Sequence, residues 1–139
     1  MKLEDQLTSL ELSKKLKELG VEQKSVFYWQ PKGLELGKWV VKESGWKNKP
    51  EGVYDVSAFT VAELGEMLPH YLMERKDGRA WDCALTITKI QGKPNVSWEV
   101  WYITKHSLPK INGKTEANAR AKMLIYLIEN KLIKLKENQ

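Results

Sequence analysis

Apolar residues recur at helical spacing near the start of the chain and predict a first helix. Three leucines fall on one face of that helix: Leu12, Leu16 and Leu19. Thr8 and Glu11 have the spacing of a capping box, in which each side chain accepts a hydrogen bond from the other residue's free amide. Gly20 follows the last leucine, where a left-handed residue commonly ends a helix. The pattern therefore predicts a helix from about Thr8 to Gly20.

A second apolar stripe predicts a helix that begins at Thr60. Thr60 and Glu63 repeat the capping-box spacing. Five apolar residues share one face: Val61, Leu64, Leu68, Tyr71 and Leu72. Pro69 interrupts this stripe and should end or kink the helix near Leu68, since proline lacks an amide donor and clashes with the preceding turn.

The widest apolar stripe predicts a third helix from about Thr115. It contains Ala117, Ala121, Leu124, Ile125, Ile128 and Leu132, and is widened by Met123 and Leu127. A stripe of this width indicates burial on more than one side, against a sheet and against a partner helix.

Two pairs of segments have the composition and alternation of β-strands. Residues 25–30 and 38–42 are rich in β-formers and are separated by Pro31-Lys32-Gly33, so they predict a hairpin. Residues 81–88 and 96–103 alternate with period two and predict a second, antiparallel hairpin. Its expected core face holds Trp81, Cys83, Leu85 and Ile87 from one strand and Val96, Trp98, Val100 and Tyr102 from the other. The segment 43–56 predicts a loop long enough to be functional or mobile.

These elements predict one α+β domain that spans residues 1–139. The order is α-β-β-α-β-β-α. An about four-stranded, mainly antiparallel sheet with the helices packed mostly on one face would bury every apolar stripe.

Cysteine content and the start of the chain indicate a cytoplasmic protein. Cys83 is the single cysteine, so the chain cannot form an internal disulfide. The first residues lack the apolar run of a signal peptide. The longest apolar run, Met123 to Ile128, is far shorter than the roughly 20 residues that span a bilayer. We therefore expect a cytosolic location and no membrane partner.

The positive charge is concentrated in the second half of the chain. The net charge is +5, yet residues 1–80 carry 13 Lys/Arg and 13 Asp/Glu, whereas residues 81–139 carry 10 and 5. This excess makes nucleic acid a possible partner, although no run of five basic residues supports it. A solvated, lysine-covered surface explains the same charge.

Four segments together resemble a known group of proteins. They are LELSKKLKELG at 10–20, SVFYW at 25–29, AFTVAELGEMLP at 58–69 and EANARAKMLIYLIENKLI at 116–133. With most of the chain apart from residues 43–53 and the final tail, they resemble a family of small uncharacterised proteins encoded by bacteriophages and prophages. The resemblance implies a prokaryotic or viral source, cytosolic expression and an accessory role. It implies no activity, cofactor or catalytic residue.

No arrangement of reactive side chains predicts catalysis, metal binding or a cofactor. Cys83 lies on the apolar face of a predicted strand, where a thiol is inert. His70 and His106 are the only imidazoles and have no zinc-like spacing. Glu63 and Glu66 are helical neighbours, a pattern more typical of surface charge than of acid–base catalysis. No phosphate-binding glycine motif occurs. We therefore predict no catalytic residue and no metal ligand.

The six tryptophans offer the strongest indication of a binding surface. Trp46 lies beside Lys47 and Lys49, and Trp101 is expected on the polar face of its strand, a few residues before Lys105. An exposed tryptophan beside lysine can stack on a base or anchor a protein interface. The alternative is that a helix or loop covers these rings.

The leading hypothesis from these patterns is a non-catalytic protein–protein interaction module, self-associating or binding another protein. The alternative is a nucleic-acid-binding accessory protein, and an enzyme ranks third.

Overall fold

The described residues form three α-helices and seven strands, which confirms the predicted α+β class. The computed structural model describes residues 2–33, 37–45, 50, 52–72, 83–92, 96–102 and 108–135. Within them the helices are α1 (Leu10–Glu18), α2 (Val61–Met67) and α3 (Glu116–Glu129), preceded by a 3-10 turn at Leu3–Gln6. The strands are β1 (Phe27–Pro31), β2 (Trp39–Glu43), β3 (Val56–Ala58), β4 (Tyr71–Leu72), β5 (Cys83–Gln91), β6 (Val96–Tyr102) and β7 (Ile111–Gly113).

The strands form two sheets rather than the single four-stranded sheet that the pattern predicted. The smaller sheet has the order β2-β1-β3 and the larger β4-β5-β6-β7. Every pairing between these strands is antiparallel, as expected. The two predicted hairpins are present as β1–β2 and β5–β6. The prediction missed β3, β4 and β7, which have three residues or fewer and are too short to show an alternation.

Side-chain caps fix the helix starts, and one predicted cap is wrong. Thr60 and Glu63 form the predicted capping box of α2, and Thr115 caps α3 through the amide of Asn118. The cap of α1 is Ser9, whose hydroxyl accepts from the amide of Leu12. Thr8 is instead fully buried. Its hydroxyl lies 2.6 Å from that of Ser13 and accepts a hydrogen bond from the amide of Phe59.

The core lies between α3 and the helices and strands around it. Half of the 14 residues of α3 are buried: Ala117, Ala119, Ala121, Met123, Leu124, Ile125 and Leu127. They pack against residues of the same chain, such as Leu16 of α1, Leu64 of α2 and Val100 of β6. The predicted burial of this stripe on several sides is therefore achieved within the chain. It no longer supports the expectation of a partner helix.

The larger sheet has an inner and an outer face. In β6, the inner face carries Trp98, Val100 and Tyr102, and α3 packs on it. Trp101 pairs with Thr86 on the outer face. The smaller sheet contacts α1 through β3. In the part of the chain described here, no helix is long and apolar enough to cross a bilayer.

Candidate functional site

A tight turn before β3 presents two apolar side chains to solvent. Val53 is 87% exposed and Tyr54 is 77% exposed. The next most exposed large apolar residue in the described ranges is Leu132, at 45%. Scattered exposed apolar residues are ordinary on protein surfaces. Two adjacent apolar residues that are both more than three-quarters exposed are unusual. This turn is therefore the strongest candidate for a binding site.

The carboxylate of Asp55 fixes the backbone of the turn. Asp55 is only 5% exposed. One of its oxygens accepts from the amide of Gly52 at 3.0 Å, and the amide of Asp55 donates to the carbonyl of Gly52 at 3.2 Å. The side-chain amide of Gln30, on β1, lies 3.3 Å from the same carboxylate. The turn is therefore closed on itself and attached to the smaller sheet.

Lys17 attaches the turn to α1. Its Nζ donates to the carbonyl of Val53 at 3.3 Å and to that of Asp55 at 3.1 Å. One of these carbonyls precedes Tyr54 in the chain and the other follows it. Because charged donors make stronger hydrogen bonds than neutral ones, Lys17 restricts the backbone that carries both side chains. The apolar pair is thus displayed on a rigid support.

Of the five predicted binding residues, the structure describes only Trp101. Trp46, Lys47 and Lys49 lie outside the described residues, as does Lys105. The turn belongs to the segment 43–56, which the sequence predicted to be a loop long enough to be functional or mobile. The sequence-based prediction missed the apolar pair because it considered only tryptophan and lysine as binding residues. The available signal was the succession of Gly52, two apolar residues and Asp55.

Trp101 has a cation above its ring, although not the predicted one. Nζ of Lys110 lies 4.8 Å from the ring centroid. The ring is partly buried on the outer face of the larger sheet, opposite the face on which α3 packs. Lys110 was not among the predicted binding residues, and the predicted Lys105 lies outside the described residues.

Two described side chains that could take part in acid–base chemistry have structural roles. The carboxylate of Glu63 accepts from the amides of Thr60 and Val26. The hydroxyl of Tyr102 donates to the carbonyl of Pro69 at 2.7 Å, and burial raises the pKa of this phenol. Over the described ranges, no three His, Cys, Asp or Glu residues are grouped to hold a metal ion. Cys83 lies on β5, as predicted.

Comparison with known proteins adds no functional assignment. No family model, curated protein or solved structure matches the chain. No residue role is therefore carried over from a relative, and the resemblance to phage and prophage proteins stays a prediction.

Proposed function

We propose that this chain is a non-catalytic protein–protein interaction module that binds its partner through the Val53–Tyr54 turn. The observation that supports the proposal is the nearly complete exposure of both side chains on a backbone fixed by Asp55 and Lys17. Binding would remove their apolar surface from water, which is the main favourable term in protein association. Because the turn is already ordered, association costs little conformational entropy there.

The chemistry of the turn favours a protein partner over a nucleic acid. Tyrosine is enriched among the residues that dominate binding energy at protein interfaces. Valine provides no flat face on which a base could stack. The ammonium group of Lys17 donates to two backbone carbonyls rather than extending freely towards a phosphate. The complementary surface would be an apolar pocket with an acceptor for the hydroxyl of Tyr54.

A photo-crosslinking residue at position 54 tests the proposal and identifies the partner. The captured protein is then purified and titrated by calorimetry against the wild type and the Val53→Ser/Tyr54→Ser variant. We expect the double variant to bind roughly 30-fold more weakly, which corresponds to the 2 kcal/mol of an interface hot spot. Its thermal unfolding should stay unchanged, since neither side chain is buried.

Leu132→Ser is the matched control, because it removes an exposed apolar side chain elsewhere on the surface. Equal affinity of the wild type and the double variant would refute the proposal. Crosslinks only between copies of this chain, with a dimer seen by light scattering, would instead show self-association.

A second candidate function is nucleic-acid binding on the outer face of the larger sheet. The pair of Trp101 and Lys110 favours it, because a ring and a cation together can contact a base and its phosphate. Fluorescence anisotropy with labelled single- and double-stranded oligonucleotides at two salt concentrations tests it. Lys110→Gln should weaken binding and reduce its salt dependence, whereas Lys42→Gln, on β2 of the smaller sheet, should not. Failure to bind at low salt would exclude this function.

We further propose a cytosolic location and a phage or prophage origin, as the resemblance implies. The single cysteine supports a reducing compartment. Fractionation of cells that naturally encode the chain tests the location, and recovery outside the cytosol would contradict it.

A further inference from the structure

A cleft of about 400 Å³ lies where the inner face of the larger sheet extends past the start of α3. Two cross-strand pairs of the β5–β6 hairpin lie at this end: Lys89 with Trp98, and Gln91 with Val96. Gly113 pairs with Trp98 from the other side, and the chain then turns into α3. Asp5, in the 3-10 turn, and Val61, at the start of α2, also line the cleft.

The walls of the cleft combine an apolar surface with unneutralised cations. Trp98, Val96 and Val61 supply the apolar part. Nζ of Lys89 lies 5.7 Å from the centroid of the Trp98 ring, so a flat aromatic surface and a cation occupy the same wall. Lys114 lies on the rim. No carboxylate among the described residues forms an ion pair with either lysine.

The carboxylates of the cleft do not cancel this charge. Glu116 is 2.6 Å from the guanidinium of Arg120 and is therefore neutralised within α3. Asp5 is exposed, and its carboxylate has no partner among the described residues. Two ammonium groups thus face one available carboxylate. This balance favours an anionic ligand, with Asp5 left to accept a hydrogen bond from a hydroxyl group.

We propose that this cleft binds a small organic anion that carries a flat ring and a hydroxyl donor, the chemistry of a nucleoside monophosphate. The ring contacts Trp98, the anion lies between Lys89 and Lys114, and a hydroxyl donates to Asp5. The volume fits, since clefts for small organic ligands measure roughly 300–1,000 Å³ and are mostly apolar with a few polar groups. The site is separate from the Val53–Tyr54 turn, so either assignment can fail without the other.

The test uses the two tryptophans of β6, whose side chains lie on opposite faces of the sheet. The full chain labelled with ¹⁵N is titrated with adenosine monophosphate and uridine monophosphate, and the indole N–H signals are followed by NMR. Trp98→Phe and Trp101→Phe assign the two signals. We expect a saturable shift of the Trp98 signal, with a dissociation constant of roughly 1 mM or below. The Trp101 signal should stay in place.

Matched variants identify the groups that bind the anion. Lys89→Gln and Lys114→Gln should each weaken binding roughly two- to fivefold, as expected for the loss of one exposed ion pair. Lys110→Gln removes a lysine that lies over a tryptophan on the other face and should have no effect. Adenosine, which lacks the phosphate, should bind more weakly than its monophosphate.

Three results would each overturn the proposal. One is the absence of a saturable Trp98 shift with both nucleotides. Another is equal binding of adenosine and adenosine monophosphate. The third is a loss of affinity in Lys110→Gln as large as in Lys114→Gln, which would show that nucleotide binding depends only on the general positive charge of the surface.

Discussion

Replacing Gly113 by alanine tests the packing of β7 against α3. A Cβ atom built on Gly113 would lie 2.5 Å from the backbone nitrogen of Ala119, 2.8 Å from its Cα and 3.0 Å from its Cβ. Carbon atoms in contact are normally about 3.5–4.0 Å apart. The φ angle of Gly113 is not in the left-handed region, so alanine could adopt its backbone conformation. The expected effect is therefore purely one of crowding.

The free-energy change follows from two opposing contributions. Replacing a glycine by alanine, where alanine can adopt the same backbone conformation, should stabilise the fold by about 0.4–1 kcal/mol. Inserting a methyl group into a packed site costs about 1–3 kcal/mol, and the upper part of that range applies because the obstacle is backbone. The first turn of α3 cannot easily move away, since Asn118 accepts from the amide of Ser9 at 2.9 Å. We expect a net loss of about 2 kcal/mol.

Urea unfolding measures this loss, and Gly65→Ala is its matched control. With a typical slope of about 2 kcal/mol per molar urea, the midpoint of Gly113→Ala should fall by about 1 M. A Cβ on Gly65 would meet only Nη1 of Arg120, at 2.8 Å, the end of a flexible side chain. Alanine should also favour helix α2 by about 0.8–1.0 kcal/mol. An unchanged midpoint for Gly113→Ala, or an equal fall for Gly65→Ala, would refute the argument.

Three further predictions concern buried hydrogen bonds. Thr8→Val leaves the buried amide of Phe59 without its acceptor and should lower the free energy of unfolding by about 1–3 kcal/mol. Thr8→Ser keeps the acceptor and should lose only the contribution of one buried methyl group, about 0.8 kcal/mol. Tyr102→Phe removes the hydrogen bond to the carbonyl of Pro69 and should lower the free energy of unfolding by about 1 kcal/mol. Burial raises the pKa of this phenol, so ultraviolet titration of the wild type should show it still protonated at the pH where exposed tyrosines ionise. Asp55→Ala releases the turn and should cost about 2 kcal/mol in urea unfolding, and a change below 0.5 kcal/mol would contradict the role given to this carboxylate.

Elements with strong local signals were predicted well from the sequence. The capping box of α2 needs only two residues three positions apart, Thr60 and Glu63, and both of its hydrogen bonds are present. Glycine at position 20 has a φ of +91°, as the predicted end of α1 requires. These features depend on neighbours within one helical turn, so the sequence pattern contains all the necessary information.

Features that depend on distant residues were missed or misassigned. Thr8 and Ser9 are adjacent hydroxyl residues, and either could cap the first helix. Thr8 is drawn inward because it accepts from the amide of Phe59, which lies 51 positions away. Ser9 then takes the cap. Similarly, β7 is a strand because its residues, among them Ile111 and Asn112, pair with β6. Its three residues contain too little pattern to identify a strand from the sequence.

In the candidate sites, too, the sequence predicted what depends on neighbouring residues and missed what depends on distant ones. That Trp101 lies on the outer face followed from alternation along β6, and the register confirms it. Its cation is Lys110, next to β7, and only the pairing of β7 with β6 brings that residue close. The exposure of Val53 and Tyr54 depends on Lys17 and Gln30, which lie far from the turn in sequence. The sequence therefore predicted a loop that includes this turn but not the exposure of these two residues.

In this turn, the residues that hold the backbone are not the residues that are exposed, which supports its assignment as a binding site. Asp55 and Lys17 supply the hydrogen bonds that hold its backbone, whereas Val53 and Tyr54 bury little of their own surface. Polar side chains at positions 53 and 54 would preserve all of these bonds and would also lower the risk of aggregation. The fold therefore does not require apolar residues there. Under the proposed function a partner covers them, and that contact would remove their surface from water.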